Sequence, residues 1–361
     1  MKVLFIYKFL TLGGVESVLR TRLIGLSDFG VDPYAWFLSD GPGAVLFEDQ
    51  LGRVMIGDPE QLGQWIFDVE PEIVSVIDTE EVLPVLATLG ESVRFIIEVH
   101  SPYRENRIYL YWLSKLRPRG FFAPSRYQAD IVQRRVGKIA PVSVIPNPVA
   151  EGFANAPTPF EPPPPGPVIA WVGRLDALKD WKGCIRAMNR LAASRAEAEL
   201  WMVGEPQGPR GGKQFYDYAR RQGVLARLRW YPSMRQSSMP RLFDAVRDSG
   251  GVVLSTSHEE SFGLSVAEAM ARECAVVAPR SGPFPEFIDH GVMGRLYPPG
   301  DMRQAAREVA ALLDDAEARR SCGRTAREAI LARHAPEVAL RILADGLRRI
   351  AADEPQAKAL T

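Results

Sequence analysis

Cysteine is scarce in this 361-residue sequence, and no stretch of it stays apolar for long. The three cysteines, Cys184, Cys274 and Cys322, are far apart and show neither a disulfide framework nor metal-ligand spacing. The roughly 18 successive uncharged apolar residues that a membrane-spanning helix needs occur nowhere. The short apolar run at the start, interrupted by Lys8, is typical of a first strand rather than a signal peptide. These features predict a cytoplasmic protein.

The sequence also lacks net charge. Its 44 Lys and Arg residues are balanced by 44 Asp and Glu residues, so no overall field attracts nucleic acid or an anionic membrane. No nucleic-acid-binding motif accompanies the local charge, and no nucleic-acid partner is expected. A chain of this length exceeds one ordinary core and predicts two domains.

Short apolar runs alternate with helical patterns along the chain, which is typical of parallel α/β sheets. The first run, VLFIY, is followed by a glycine pair and a helical pattern, as in the opening of a βαβ unit. The other predicted strands are IVSVID, VRFIIEVH and VSVIPN in the first half, and VIAWVG, AELWMVG, GVVLSTS and CAVVAP in the second. The pattern predicts an α/β fold with two doubly wound halves.

A proline-rich segment, APTPFEPPPPGP, separates the two series of strands at residues 156–167 and is expected to be a stiff linker. We predict one Rossmann-like domain at residues 1–155 and a second at residues 168–335. A C-terminal helix at residues 336–361 is expected to pack back on the first domain. Because ligands bind outside the carboxyl ends of such strands, we expect the site in a cleft between the domains.

Basic residues follow the first strand of the second half, in the segment VGRLDALKDWKG. Arg174 comes directly after the strand, and Lys179 and Lys182 lie near the start of the next helix. A guanidinium and an ammonium at a strand-to-helix junction can hold a diphosphate. A solvated basic loop is the alternative interpretation.

The segment SHEESFGLSVAEAMA places two carboxylates around a helix start. Glu268 shares a helix face with apolar residues, where a carboxylate loses hydration unless hydrogen-bond donors replace it. Alternatively, Glu268 and Arg272 form an ordinary i, i+4 ion pair. Glu259 and Glu260, for their part, could simply complement the helix dipole.

Several motifs together resemble the family 4 retaining glycosyltransferases of GT-B fold. They are GGVE, VIPNPV, VGRL with a lysine five positions after the arginine, MVGE, ESFGLSVAE and PFPEFIDHGVMGRLYPPGD. The motifs stand in family order from Leu12 to about Asp301. The resemblance implies two Rossmann-like domains, with the acceptor side in the first and the nucleotide sugar in the second.

The resemblance also implies roles for residues of the second half. Arg174 and Lys179, with Lys182 as a competing candidate, match the residues that grip the donor diphosphate. Glu260 matches the carboxylate beside the donor sugar, and Glu268 the one that binds the ribose hydroxyls. The backbone N–H groups suited to the sugar or the phosphate are those of Phe262, Gly263, Leu264 and Ser265.

In the first half, Gly13 and Gly14 match the family's glycine loop, which lets the backbone approach the donor and the acceptor closely. His100 matches a histidine near the reacting face of the sugar, although ordinary packing or hydrogen bonding is the alternative for a histidine at a strand end. No residue clearly fits a carboxylate nucleophile for a double displacement. The resemblance implies front-face attack instead, with Glu260, His100, Arg174 and Lys179 as catalytic residues, no cofactor and no metal ion.

The donor base and the acceptor are less well defined. The sequence has Glu273 where the family usually has glycine, Ala275 where it has proline, and Pro232 where glycine is common. This region often lines the base pocket, so these departures leave open which base is bound. The donor is expected to be a UDP- or GDP-sugar. The acceptor is a glycan, a lipid-linked molecule or a small molecule.

Residues 100–138 carry nine Lys or Arg and two acidic residues, interleaved with aromatics. One interpretation is a face that meets an anionic acceptor or the inner membrane surface. The other is an amphipathic helix whose aromatic residues pack inward and whose cations are solvated.

Two other functions fit the same fold. A nucleotide-sugar 2-epimerase would need more acid and base groups at the sugar than Glu260 and His100, and the motifs VGRL and ESFGLSVAE argue against it. A non-catalytic nucleotide-sugar-binding protein is the other alternative, against which the retained Arg, Lys and Glu residues speak.

Overall fold

The computed structural model describes residues 1–353, which form two compact units. The first unit contains residues 1–150 together with residues 333–353, and the second contains residues 151–332. Each unit has its own parallel sheet and its own buried apolar core.

The first unit is built on a seven-stranded sheet in the order β3-β2-β1-β4-β5-β6-β7, in which every neighbouring pair is parallel. Its central strand is fully buried along Val3, Leu4, Phe5 and Ile6, because helices cover both faces of a parallel sheet. The strands are β1 (Lys2–Tyr7), β2 (Asp32–Phe37), β3 (Val54–Ile56), β4 (Ile73–Ile77), β5 (Phe95–Glu98), β6 (Phe121–Ala123) and β7 (Val142–Val144).

Helices cover this sheet, with the last helix of the described chain among them. The α-helices numbered in the first half are α1 (Gly14–Gly25), α2 (Pro59–Val69), α3 (Leu83–Leu89) and α4 (Arg126–Val136). The 3-10 segments are Leu26–Phe29, Pro42–Gln50, Glu80–Val82, Gly90–Ser92 and Glu105–Lys115. The C-terminal helix, which spans Pro336–Ala351, buries Leu340, Leu343 and Leu347 in one core with Leu19 and Leu23 of α1.

The second unit contains a six-stranded parallel sheet in the order β10-β9-β8-β11-β12-β13. Its strands are β8 (Val168–Val172), β9 (Glu199–Val203), β10 (Leu228–Tyr231), β11 (Val252–Leu254), β12 (Val276–Pro279) and β13 (Arg295–Tyr297). The core packs Ile169 and Trp171 of the central strand against Ile185 and Met188 of the helix that follows it.

The helices of the second half complete that core. They are α5 (Glu151–Ala154), α6 (Trp181–Ala192), α7 (Gly211–Arg221), α8 (Met239–Asp248), α9 (Leu264–Ala271), α10 (Phe284–Phe287), α11 (Met302–Asp314) and α12 (Ala316–His334). The helix at Pro336–Ala351 is α13. The two short 3-10 segments here are Leu225–Arg227 and Gln236–Ser238.

Strand order reverses once in each sheet, between β1 and β4 in the first unit and between β8 and β11 in the second. In doubly wound sheets, ligands bind at this point, outside the carboxyl ends of the strands. Most residues singled out in the sequence follow the strands that flank these two points, whereas His100 follows β5, the strand next to β4.

The unit boundaries differ from the predicted domain limits. The proline-rich segment predicted as a linker is tied to the second unit, because Asp244 Oδ2 accepts the Thr158 hydroxyl at 3.0 Å and Asp248 Oδ2 accepts the Phe160 N–H at 2.7 Å. The chain therefore passes from the first unit to the second just before residue 151. It returns to the first unit inside α12, where the His334 imidazole lies 2.9 Å from the carbonyl oxygen of Asn147 in that unit.

Within residues 1–353, no helix combines the length and the apolar character that crossing a membrane requires.

Candidate functional site

The loop after β8 is folded around one carboxylate. Asp176 Oδ2 accepts a hydrogen bond from Arg174 Nε at 3.3 Å, and Asp176 Oδ1 accepts one from the backbone N–H of Lys179 at 2.8 Å. Arg174 remains 58% exposed, whereas Asp176 is buried. The buried aspartate therefore orients an exposed guanidinium beside the lysine.

The end of β11 anchors the same loop. The Thr256 hydroxyl lies 3.1 Å from the carbonyl oxygen of Lys179 and 2.9 Å from that of Asp180, and it accepts the Trp171 indole N–H at 3.0 Å. The backbone N–H of His258 donates to the Leu178 carbonyl at 2.7 Å. These bonds join the two segments that follow the strands flanking the switch point.

Lys179 and Glu260 form an ion pair at this junction. The Lys179 Nζ lies 2.6 Å from Glu260 Oε1, which also accepts the Ser257 hydroxyl at 2.8 Å. Both side chains are largely buried. Because an ammonium has three N–H donors, Lys179 can hold Glu260 and still donate to a bound anion.

Lys182, the competing candidate for the diphosphate, lies elsewhere. Its Nζ lies over the rings of Trp181 and Tyr218, 5.4 Å and 5.7 Å from their centroids. A lysine over aromatic faces gains cation–π energy there. The structure thus brings Lys179, and not Lys182, to Glu260.

Helix α9 begins beside the end of β8. Gly263 precedes the helix in the left-handed region with φ +86°, and a Cβ there would lie 2.7 Å from the Phe284 ring. The Ser265 hydroxyl donates to the Val172 carbonyl at 3.4 Å, while the Phe262 ring packs on Phe287. The first N–H groups of α9, including those of Leu264 and Ser265, therefore lie near Arg174, where a helix start favours an anion.

Glu268 lies on the buried face of α9 and is 7% exposed. Within residues 1–353, no hydrogen bond or ion pair reaches its carboxylate, and burial raises its pKa from 4.5 to about 8. The ion pair with Arg272 considered above does not form, because Arg272 makes a bidentate bond with Asp244 at 2.7 and 2.8 Å. Glu268 is thus a largely buried carboxyl group that no side chain or backbone N–H of the described residues holds.

The glycine loop of the first unit packs around a buried acid. Glu16 Oε1 accepts the backbone N–H and the hydroxyl of Thr11, both at 2.6 Å. Gly13, which precedes α1, is extended, and a Cβ on it would lie 2.7 Å from Glu16 Oε2. A side chain at position 13 would therefore have to displace the end of the Glu16 side chain, while Gly14 is the first residue of the helix.

His100 belongs to a buried network that sequence reasoning missed. Its Nε2 lies 2.9 Å from Glu98 Oε2, and Glu98 also binds Arg22 through two bonds of 2.8 and 2.9 Å and the Ser75 hydroxyl at 2.6 Å. Burial opposes the charge on Glu98, but Arg22 and His100 outweigh it and hold the pKa of Glu98 well below its usual range. The ionised Glu98 fixes the orientation of the imidazole.

The only signal for this network in the sequence is the acid within the apolar strand FIIEVH. Its partner Arg22 is far away in the chain, and nothing in the sequence around Arg22 indicates that it is buried. In the second unit, Asp176 could have been predicted as a site residue, since it lies between Arg174 and Lys179 in VGRLDALK.

Residues 100–138, the segment rich in basic and aromatic residues, contribute some aromatic side chains to the core and others to the surface. Tyr109 is buried, as are Phe121 and Phe122, whereas Tyr111 and Trp112 are 60% and 75% exposed. Arg135 lies over the Tyr111 ring at 5.4 Å and donates to its hydroxyl at 3.1 Å. Aromatic residues therefore contribute both to the core and to an exposed basic surface.

Within residues 1–353, no group of three or more His, Cys, Asp or Glu side chains is arranged to hold a metal ion. The cations near the candidate site are supplied by Arg174 and Lys179.

Curated relatives match parts of this chain. A D-inositol 3-phosphate glycosyltransferase from Corynebacterium kroppenstedtii is 32% identical over 163 residues, which cover 44% of this chain and 35% of the relative. A sucrose synthase from Acidithiobacillus caldus is 27% identical over 195 residues, covering 51% of this chain and 25% of the relative. The chain thus spans about a quarter to a third of the length of these relatives.

Solved structures share the whole fold. The structure of Anabaena Alr3699/HepE in complex with UDP-glucose has a TM-score of 0.81 and 20% identity, and covers 96% of this chain and 99% of its own. Sucrose-phosphate synthase from Thermosynechococcus elongatus also has a TM-score of 0.81, with 17% identity and coverage of 98% and 100%. These likenesses confirm the predicted GT-B fold.

Two family models divide the chain between them. The Glycosyltransferase Family 4 model matches residues 12–152, and the model described as Glycosyl transferases group 1 matches residues 155–329. Together they cover nearly all of both units. The chain belongs to the group 1 glycosyl transferases, with a first unit of the family 4 type.

Proposed function

We propose that the protein transfers a sugar from a nucleoside-diphosphate sugar to a hydroxyl acceptor with retention of configuration. The observation that carries this proposal is the Lys179–Glu260 ion pair beside Arg174 at the switch point of the second sheet. Cations at this position suit the diphosphate, and a carboxylate held 2.6 Å from the lysine suits the hydroxyls of the attached sugar.

Glu268 supports a nucleotide donor. Burial favours the protonated form of Glu268 in the ligand-free protein, and the ribose diol supplies two O–H groups that would stabilise the ionised carboxylate. In the proposed complex the backbone N–H groups of Phe262 and Gly263, which precede α9, and of Leu264 and Ser265, which begin it, bind the phosphate or the sugar. Arg174 and Lys179 neutralise the charge that develops on the leaving diphosphate, which requires no metal ion in this mechanism.

Front-face attack assigns the remaining roles. The leaving phosphate oxygen helps to deprotonate the acceptor hydroxyl, while Glu260 and His100 position the donor sugar. Gly13 and Gly14 allow the backbone of the first unit to approach the substrates. Glu98 keeps the imidazole of His100 in one orientation through its 2.9 Å bond.

UDP is the nucleotide best supported, because Anabaena Alr3699/HepE was solved with UDP and with UDP-glucose. The acceptor is a glycan, a lipid-linked molecule or a small molecule. The exposed Tyr111 and Trp112, with nearby arginines, support contact with an anionic acceptor or with a membrane surface.

A donor panel tests the proposal. The protein is incubated with UDP-, GDP-, ADP- and dTDP-sugars, and thermal stabilisation and nucleotide release are measured. We expect stabilisation by a UDP-sugar and slow release of UDP. Stabilisation by none of the donors would overturn the transferase. Binding without release in the presence of varied acceptors would favour the non-catalytic protein, and a changed sugar without acceptor would favour the epimerase.

Two lysine variants make this test specific. Lys179→Met should weaken donor binding about tenfold or more, since a hydrogen bond between charged groups contributes about 1.5–3 kcal/mol. Lys182→Met is the matched control and should bind donor as the wild type does, because Lys182 lies over aromatic rings. The reverse result would assign the diphosphate to Lys182.

A further inference from the structure

Asp78 follows β4 directly, beside the switch point of the first sheet, and has no role in the function proposed above. It is 4% exposed and adopts the left-handed backbone region with φ +44°. Its Oδ2 accepts the backbone N–H of His100 at 2.9 Å. Its Oδ1 is buried and, within the part of the chain that the structure describes, has no hydrogen-bond partner.

Both features cost free energy. A left-handed backbone is unfavourable for a residue with a Cβ, and a buried acceptor without a donor loses its hydration without compensation. Burial raises the pKa of Asp78 to about 6, although the charge of His100, the backbone N–H groups of His100 and Ser101, and the charge of Lys8 oppose the rise. Residues held in this way are concentrated at functional sites.

A second polar atom nearby also lacks a partner. The hydroxyl of Tyr109 is buried without one among the described residues, and burial together with the charge of Asp78 raises the pKa of this phenol well above its usual value. The other charged groups that act on Asp78 are occupied. Lys8 Nζ binds Glu81 at 3.3 Å, and the imidazole of His100 binds Glu98.

We propose that Asp78 binds a hydroxyl group of the acceptor, with its Oδ1 accepting the hydroxyl hydrogen. The inference rests on the proposed function, because it assigns the acceptor to the carboxyl ends of the strands in the first unit. A carboxylate oxygen only accepts, so Oδ1 matches the hydrogen of a ligand hydroxyl. A phosphate would be repelled by Asp78, so the part of the acceptor bound here is a neutral polyhydroxyl group.

The test compares Asp78→Asn with the wild type. Asparagine tolerates the left-handed backbone and retains an oxygen for the His100 N–H, so the variant removes the charge and replaces the accepting Oδ1 by a donating NH2 group. Glu80→Gln, which removes an exposed charge two residues away, is the matched control. Glycerol, myo-inositol and methyl glucoside serve as probes, and binding is followed by chemical shift changes in the full-length protein at pH 5 to 7.5.

We expect the wild type and Glu80→Gln to bind at least one polyol more tightly as the pH rises through 6, because ionised Asp78 accepts the hydroxyl hydrogen. Asp78→Asn should bind it about tenfold more weakly, without this pH dependence. If the wild type and Asp78→Asn bound the polyols equally, or if neither bound them, the assignment would be overturned. An ordered water molecule would then be the partner of Oδ1. UDP binding, measured on the same samples, distinguishes failure of this assignment from failure of the proposed function. A wild-type protein that does not bind UDP would overturn the proposed transferase activity itself.

Discussion

The carboxylates of Glu260 and Glu268 lie on either side of the start of α9 and have opposite surroundings. Glu260 is held by Lys179 and Ser257, both within hydrogen-bond distance. Glu268 faces apolar side chains, and burial alone raises its pKa to about 8. The same segment therefore supplies one carboxylate that is already paired and one that awaits a donor.

The raised pKa of Glu268 predicts how the stability of the ligand-free protein depends on pH. Between pH 4.5 and 8 the folded state binds a proton that the unfolded state has lost, so this residue lowers the free energy of unfolding as the pH rises. At about 1.4 kcal/mol for each pH unit, the loss is on the order of 3–5 kcal/mol. Glu268→Gln should remove it, so that urea unfolding shows a stabilised variant at pH 8 and little change at pH 4.5.

Glu259→Gln is the control for this experiment, since Glu259 is exposed next to the same helix. It should unfold like the wild type at both pH values. If Glu268→Gln were no more stable than the wild type at pH 8, the carboxylate would have a partner in solution. The ribose role predicts in addition that Glu268→Gln weakens the binding of UDP.

Sequence motifs predicted residues that lie close together in the chain and missed their distant partners. Arg174, Lys179 and Glu260 could be named because VGRL and ESFGLSVAE carry them in fixed spacing. Arg22 could not, because its bonds to Glu98 depend on how α1 lies against β5. A charged residue gives no sign in the sequence of whether its partner is solvent or another buried charge.

At the scale of elements, continuous apolar runs predicted most strands well, and five strands escaped notice. The runs at β1, β4, β8 and β9 matched observed strands nearly to the residue. The missed strands are β2, β3, β6, β10 and β13. The last of these has only three residues, and its first is the polar Arg295. Such strands are stabilised by pairing with a neighbour, which the local pattern does not contain.

The start of α9 depends on Gly263, which allows the turn from ESF into the helix. Alanine there should cost about 1–2 kcal/mol for the left-handed backbone, and more for its contact with Phe284. We therefore expect Gly263→Ala to lower the free energy of unfolding by about 2 kcal/mol or more and to weaken UDP binding by displacing the helix start.

Gly63→Ala provides the matched glycine control. Gly63 lies inside α2, and a Cβ there meets nothing within 4 Å. Alanine should stabilise that helix by about 0.5–1 kcal/mol and leave UDP affinity unchanged. Denaturant unfolding and calorimetry of the two variants measure both effects. A Gly263→Ala protein as stable as the wild type, with the same affinity, would refute the proposed role of this turn.

At the scale of the whole molecule, each unit has its own core, and the first is assembled from both ends of the chain. The main core cluster of the second unit runs from Ile169 to Cys322. That of the first combines the N-terminal strands with Leu340, Leu343, Leu347 and Ile350 of α13. The periodicity of the C-terminal segment predicted a helix, and the return of this helix to the first unit follows from its apolar face, which needs a sheet to cover.

This arrangement predicts that damage to α13 unfolds the first unit selectively. Leu347→Asp replaces a fully buried side chain by a charge, which removes about 1.5–3 kcal/mol of burial and adds several more for the unpaired carboxylate. The sum approaches the whole stability of a domain, about 5–15 kcal/mol.

Arg349→Asp, on the exposed face of the same helix, is the matched control. In limited proteolysis followed by mass spectrometry, Leu347→Asp should lose residues 1–150 while a fragment near residues 151–332 persists, and Arg349→Asp should resist like the wild type. Equal digestion of both regions in Leu347→Asp would mean that the two cores do not unfold independently.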